Sequence, residues 1–411
     1  PAARGRRYSI WRPYWKDLAL RFIFFRRTGA MVVYWSRLGP ALAGRSYMSY
    51  ARGGAVIRPS CLRAKQPPGT GKFWNDEGED LGSGTRRVWR VFKWFIGILI
   101  LLLLILFYGV VPWFFTNLVT KNNFRYHDRN AGKTPASFGM SFHDAAFTSR
   151  DGIPLKGWYV PASIANGGKP LGTIIYCHGF HRTREEMLPM AVFGHQLGYD
   201  ELLFDFRNHG ESGGKVTSLG YWERLDAEAA VAYALSQEKA PRPVIIWGVS
   251  MGAAAALMAA AEDPDVNAVI SDSTFLSFDR VIQHHYHLVI QIVRRHWWWF
   301  PPLPAFPITN EVIAWSAWRA HFKPSDFNLE TAVKQIAPRP VLFVAVRDDP
   351  RMPPTIAQTL YPLDASPSRQ IIVLPGHRHG EGFNDARVPY EKAVSDFLTQ
   401  LHATPAPQPA P

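Results

Sequence analysis

The spacing of apolar residues changes along this chain, and each change predicts a different kind of element. From Trp94 to Phe115 no charged residue interrupts 22 positions, and Ile98 to Leu106 is wholly aliphatic. At 1.5 Å per residue a helix of that length covers about 33 Å, enough to cross a hydrocarbon core of about 30 Å. Its Leu, Ile, Phe and Val side chains favour insertion by about 5 to 10 kcal/mol. The run closes on Val111-Pro112-Trp113-Phe114-Phe115 instead of the small-residue cleavage site of a secretory signal. One retained transmembrane helix over 94–115 is therefore expected.

From residue 142 onward, short β-branched and aromatic runs alternate with helical stretches. Residues 142–148 and 155–160, joined at Asp151-Gly152, read as an antiparallel pair. Strands follow near 172–177, 200–205, 243–247, 266–270, 340–346 and 370–374, with helices near 184–197, 221–238, 251–262 and 387–401. This predicts an α/β class: a mostly parallel sheet with helices on both faces and chemistry at its carboxyl edge. Between 275 and 322 the alternation lapses in an insertion that carries Arg294-Arg295-His296-Trp297-Trp298-Trp299-Phe300. Three consecutive tryptophans exceed what one helix face can bury. They line an acyl-binding pocket, touch a bilayer beside the anchor, or pack the insertion onto the main domain.

Charge divides the chain in the same way. The net charge is +13, but residues 1–93 alone carry 19 basic and 5 acidic side chains, so the remainder is close to neutral. The expected organisation is a basic, poorly ordered segment over 1–93, the span over 94–115, a linker over 116–141, a globular domain over 142–402 and a Pro/Ala-rich tail over 403–411. Arg86, Arg87, Arg90 and Lys93 before the span, against Lys121, Arg125 and Arg129 after it, place the N-terminus in the cytoplasm and the domain on the opposite side, periplasmic or extracellular in a bacterium. Leu20 to Trp35 mixes apolar residues with Arg21, Arg26 and Arg27, a pattern suited to an anionic membrane surface. No nucleic-acid module accompanies the basic segment, so nucleic acid is not an expected partner. Cys61 and Cys177 fall on opposite sides of the membrane in this scheme, so no disulfide is expected.

The chemistry-bearing residues sit at strand ends. Gly248-Val249-Ser250-Met251-Gly252 follows a β-type run and opens an Ala-rich helical stretch. A serine on so sharp a turn holds a strained backbone, and glycines on either side let strand and helix approach. The pentapeptide alone is weak, because a structural turn serine has the same spelling. A hydroxyl nucleophile also needs a base, and the base needs an orienting group. Asp348 and Asp349 follow the 340–346 run, and His377 and His379 follow the 370–374 run. Asp272 after the 266–270 run reads as a loop-capping carboxylate. His284, His285 and His287 have no acidic or cysteine partner at ligand spacing, so no metal is expected. Pro67 to Phe73 lacks the glycine and the hydroxyl of a Walker A loop and reads as linker.

Taken together, Cys177-His178-Gly179-Phe180, Asp205 to Ser212, Trp247 to Gly252, Asp349-Pro350 and His379-Gly380 resemble the α/β-hydrolase superfamily over about 142–401, closest in pattern to bacterial serine aminopeptidase and monoacylglycerol-lipase-like members. The resemblance implies Ser250 as nucleophile, Asp349 as orienting acid and His379 as base, in that chain order. It further implies the N–H groups of Phe180 and Met251 as oxyanion donors, a lid in the 275–322 insertion, and no cofactor. His178 and His181 would brace the oxyanion loop, and His209 would shape a loop near the pocket. The family often places a glycine ahead of the acid, where this chain has Ala345-Val346-Arg347-Asp348-Asp349, so Asp348 stays open as the acid. His377 competes with His379, but only His379 stands directly before a glycine. The expected activity is a membrane-anchored serine hydrolase acting on a small-molecule ester or related acyl bond. A peptidase and a non-catalytic anchored scaffold are the alternatives.

Overall fold

The computed structural model describes residues 81–121, 129–163, 168–237 and 241–403. The expectations for Leu20 to Trp35, Cys61, Pro67 to Phe73, most of the basic segment and nearly all of the tail lie outside the described residues.

Eight strands form one sheet: β1 His143–Thr148, β2 Pro154–Val160, β3 Thr173–Cys177, β4 Asp200–Asp205, β5 Val244–Val249, β6 Ala268–Asp272, β7 Val341–Val346 and β8 Gln370–Leu374. Their order is β1-β2-β4-β3-β5-β6-β7-β8. The β1–β2 and β2–β4 pairs are antiparallel and the pairs from β4 through β8 are parallel. The central strands β3, β4, β5, β6 and β7 are buried at every position, as strands covered on both faces must be. Two hydrophobic clusters result, one on each face of the sheet. This is the expected α/β architecture. The expected strand at 266–270 begins two residues later and runs through Asp272.

Apart from a single turn at Gly382–Asp385, the α-helices among the described residues are α1 Leu81–Ile105, α2 Val111–Thr120, α3 Leu188–Gln196, α4 Glu223–Ser236, α5 Met251–Glu262, α6 Phe278–His296, α7 Ile308–Ala320, α8 Leu329–Ile336, α9 Thr355–Leu360 and α10 Arg387–Ala403. A π-helical turn, Leu106–Val110, joins α1 to α2. One helical run, Arg86–Thr120, is long and apolar enough to cross a membrane. Helix extends on both sides of the expected span, beginning before residue 94 and continuing through Thr120. The run also changes environment along its length. Its first part is exposed, whereas Phe107, Val111, Phe115 and Val119 pack against the main core cluster and Pro112, Thr116 and Thr120 are buried.

The insertion consists of α6 and α7, two helices that the lapse in alternation hid. Trp297 caps the end of α6, and the three tryptophans lie in the loop beyond it. Trp298 is 85% and Trp299 67% exposed, so these two rings do not pack the insertion onto the main domain.

Candidate active site

Ser250 stands between β5 and α5 with φ 55° and ψ −113°, a conformation unfavourable for a residue with a Cβ. The turn is held by what its neighbours lack. A Cβ on Gly252 would lie 2.0 Å from the carbonyl oxygen of Cys177, and one on Gly248 would lie 2.4 Å from the Gly252 backbone. Alanine fills α5 from 253 to 256 and is fully buried there, so the helix lies close behind the turn without large side chains to separate them.

The structure brings Ser250, His379 and Asp349 together. Ser250 Oγ lies 2.8 Å from His379 Nε2, and His379 Nδ1 lies 2.7 Å from Asp349 Oδ2. With the ring proton on Nδ1, that nitrogen donates to the carboxylate and Nε2 is free to accept from the serine hydroxyl. Asp349 is 2% exposed, and its Oδ1 accepts from the N–H groups of Arg351 (2.8 Å) and Met352 (3.1 Å). Burial alone would push its pKa up, but the His379 hydrogen bond and charge and the two amides hold it below the usual 3.8. Asp348 is exposed, so of the adjacent acids it is Asp349 that meets the imidazole. Burial, then the nearby Arg351 charge, lowers the pKa of His379 despite its bond to Asp349. A neutral imidazole, able to take a proton at neutral pH, is the result.

Of the expected oxyanion donors, Met251 follows this serine directly and Phe180 lies in the loop after β3. The Ser250 N–H is taken by the carbonyl of Asp272 at 2.8 Å, which leaves the next amide, that of Met251 at the first position of α5, where a helix gives N–H groups no internal partner. In the loop after β3, Gly179 N–H donates to Glu186 Oε2 (2.6 Å), His181 N–H to His209 Nε2 (3.4 Å) and Arg182 N–H to the Gly179 carbonyl (3.2 Å). Phe180 N–H lies between these engaged amides. His178 spans the loop: Nδ1 donates to the Gly179 carbonyl at 2.8 Å, and Nε2 accepts from Phe206 N–H at 3.0 Å. Burial keeps His178 and His209 neutral, with pKa values below the usual 6.5, and lowers that of His181 to about 3. His178 and His209 tie this loop to the segment after β4 through these hydrogen bonds.

Sequence reasoning missed three supports. The His285 ring, whose pKa burial lowers to about 3, donates to the Val281 carbonyl and accepts from Arg351 Nε at 3.3 Å, while His284 Nε2 donates to the Pro350 carbonyl at 2.8 Å. The histidines weighed as metal ligands therefore tie α6 to the turn that carries Asp349. Among the described residues no His, Cys, Asp and Glu cluster could hold a metal ion. Second, the end of the membrane-type helix joins the site: Thr217 N–H donates to the Thr120 carbonyl at 2.9 Å, and the Leu118 backbone hydrogen-bonds the His181 side chain. Third, Asp272 is more than a loop cap. Its side chain is fully buried, accepting from Ser273 Oγ (2.7 Å) and Tyr390 OH (2.9 Å), and the Tyr390 hydroxyl accepts from Trp247 Nε1 (3.1 Å). No sequence signal distinguishes the contacts of His284 with Pro350, His285 with Arg351, Thr217 with Thr120 and Asp272 with Tyr390, because each joins elements distant in the chain.

A serine on a strained strand-to-helix turn of a mostly parallel sheet, with an imidazole and a carboxylate brought to it from the ends of later strands, is the arrangement of the α/β-hydrolase fold, and the chain is similar to proteins of that superfamily. A family model described as serine aminopeptidase S33 matches residues 168–314. The chain is 28% identical over 254 residues to the uncharacterized protein YqkD of Bacillus subtilis (strain 168), covering 61% of this chain and 77% of that one. It is 25% identical over 318 residues to the uncharacterized membrane protein YNL320W of Saccharomyces cerevisiae, covering 76% and 98%. Among solved structures, the Pyrococcus furiosus esterase Pf2001 superposes with a TM-score of 0.54 at 24% identity, over 68% of this chain and 98% of that one, a likeness of fold.

Proposed function

We propose that this chain is a membrane-anchored serine hydrolase that cleaves an ester or related acyl bond of an apolar substrate. Ser250 Oγ attacks the acyl carbonyl as His379 Nε2 takes its proton, and His379 returns that proton to the departing alcohol. Asp349 holds the imidazole in the Nδ1–H tautomer and stabilises its charged form. The N–H groups of Phe180 and Met251 bind the oxygen that becomes negative in the tetrahedral intermediate, where losing one donor typically costs about 10² to 10³ in rate. Water then attacks the acyl-serine with His379 as base. The observation that carries the reading is the continuous hydrogen-bonded chain from Ser250 through His379 to Asp349. Labelling by a fluorophosphonate probe tests it: the unaltered protein should react and Ser250→Ala should not, whereas equal labelling of both would refute the mechanism.

The anchor part of the reading is supported by the apolar run Arg86–Thr120 and by the basic segment ahead of it, which points to a cytoplasmic N-terminus. Protease protection of the catalytic domain in intact cells or spheroplasts tests that orientation. The match to a serine aminopeptidase model favours a second reading, hydrolysis of short peptides. Faster turnover of aminoacyl anilides than of p-nitrophenyl acyl esters would select it.

A further inference from the structure

The contacts of α7 fix where the exposed aromatic loop lies along the apolar run. At its C-terminal end, Arg319 Nη1 donates to Asn117 Oδ1 and Thr120 Oγ1, each at 3.0 Å. The same helix packs along α2 and also reaches the π-helical turn Leu106–Val110. A helix that meets both ends of a neighbouring run lies parallel to it. Stepping from Ala320 back to Ile308 covers about 18 Å at 1.5 Å per residue. Stepping back as far from Thr120 arrives near Tyr108. The N-terminal end of α7, with Phe306 just before it, is thus level with the π-helical turn, inside the uncharged stretch 94–115.

Around that level the protein presents rings to the outside. Trp298 is 85%, Trp299 67% and Phe306 67% exposed, and Tyr108 and Trp113 on the helical run are exposed as well. Arg294 and Arg295 project from the last turn of α6 just ahead of the tryptophans. Left in water, such a patch costs about 25 cal/mol for each Å² of apolar surface. Tryptophan is favoured at the boundary between headgroups and acyl chains, and arginine beside it suits anionic headgroups. Both elements that reach this level also border the catalytic groups: α6 through His284 and His285, and α2 through Leu118.

We propose that the Trp297–Phe306 loop is a second bilayer contact, seated at the headgroup boundary beside the anchor, and that the substrate is an acyl ester carried in that same leaflet. The proposal rests on the anchored-hydrolase reading, and its test separates the two. Full-length protein with Cys61→Ser and Trp298→Cys is placed in nanodiscs and labelled with an environment-sensitive fluorophore; Cys177 is buried and does not compete. Phospholipid brominated near the upper acyl chain should quench the label strongly, and aqueous iodide should not. Quenching by iodide alone, or protection from both quenchers with crosslinking between two copies of the chain, would overturn the bilayer contact. In a second arm, Trp298→Ser/Trp299→Ser should lower the ratio of hydrolysis of a long-chain ester in vesicles to that of a water-soluble short-chain ester by about tenfold. An unchanged ratio would overturn the substrate assignment. If the unaltered protein hydrolyses neither ester, the hydrolase reading falls, and the quenching still decides where the loop sits.

Discussion

Asp349 and Asp272 come from adjacent parallel strands, Asp272 as the last residue of β6 and Asp349 just beyond β7, and both are buried. Their pKa values nevertheless move in opposite directions. Asp349 accepts from three N–H groups, those of His379, Arg351 and Met352, and stays below 3.8 although burial pushes the other way. Asp272 accepts from two hydroxyls, those of Ser273 and Tyr390, and burial, helped by the charge of Asp349, pushes it up to about 6. The donor type explains the difference. A backbone amide can only donate, so it favours the ionised carboxylate. A hydroxyl can rotate and accept from a protonated carboxyl, so it tolerates the neutral acid. Burial pushes both carboxyls up, and the groups that hydrogen-bond each one decide how far that push is offset.

The comparison breaks most visibly in activity. Asp349→Asn should lower kcat/KM on a p-nitrophenyl ester by about 10⁴, because an amide facing His379 favours the wrong tautomer. Asp272→Asn should leave the rate within about tenfold, since its carboxylate touches neither Ser250 nor His379. Equal losses in the two variants would mean that Asp272 participates directly and that the two acids do not divide the work as described.

Stability against pH sharpens the same contrast, with a smaller effect. The folded pKa of Asp272, about 6, lies above its ordinary value of 3.8, so the folded state holds this proton longer than the unfolded chain does. Its favourable contribution is therefore complete below pH about 4 and is lost as pH rises toward 6, by roughly 3 kcal/mol at most. Asp349 has the opposite sign: its folded pKa is lowered, so its contribution is present above the unfolded value and lost as pH falls through the folded one. Thermal melts from pH 3 to 7 should show Asp272→Asn removing the loss between about pH 4 and 6, and Asp349→Asn removing part of the loss at the acid end.

How much of this was legible in the sequence depends on whether a feature was local. The turn at Ser250 was, because its Gly-x-Ser-x-Gly spelling lies between a β-type run and an Ala-rich helical stretch, although the contact that requires Gly252, with Cys177 on β3, is not local. The choice between Asp348 and Asp349 was not, because it depends on which carboxylate faces a histidine thirty residues downstream. The packed face of α2 was hidden for another reason. Phe107, Val111, Phe115 and Val119 repeat every four residues, but inside a run that is apolar at nearly every position such a repeat has no contrast. The sequence therefore read as a plain span where the structure has a helix that leaves its exposed part behind and enters the catalytic domain. His284 and His285 had no role legible in the sequence for a similar reason: the geometry that gives them one, contact with Pro350 and Arg351, exists only after folding.

The smallest expected effect concerns the imidazole between serine and acid. His379 is held below 6.5 first by burial and then by the positive charge of Arg351, against the pull of Asp349. A base works only when unprotonated, so kcat/KM should fall as pH drops through a value below 6.5, with the acid form of the enzyme inactive. Arg351→Met keeps the backbone N–H that serves Asp349 and removes the charge. The acid limb should then move upward, because imidazolium is no longer opposed by a neighbouring cation. His285 is the control, since its ring accepts from Arg351 Nε and touches neither Ser250 nor Asp349. In His285→Gln, which can still accept that bond, the limb should stay where it is. Movement of the limb downward in Arg351→Met would mean that the arginine acts on the imidazole mainly by positioning Asp349, and the charge argument would give way to one of geometry.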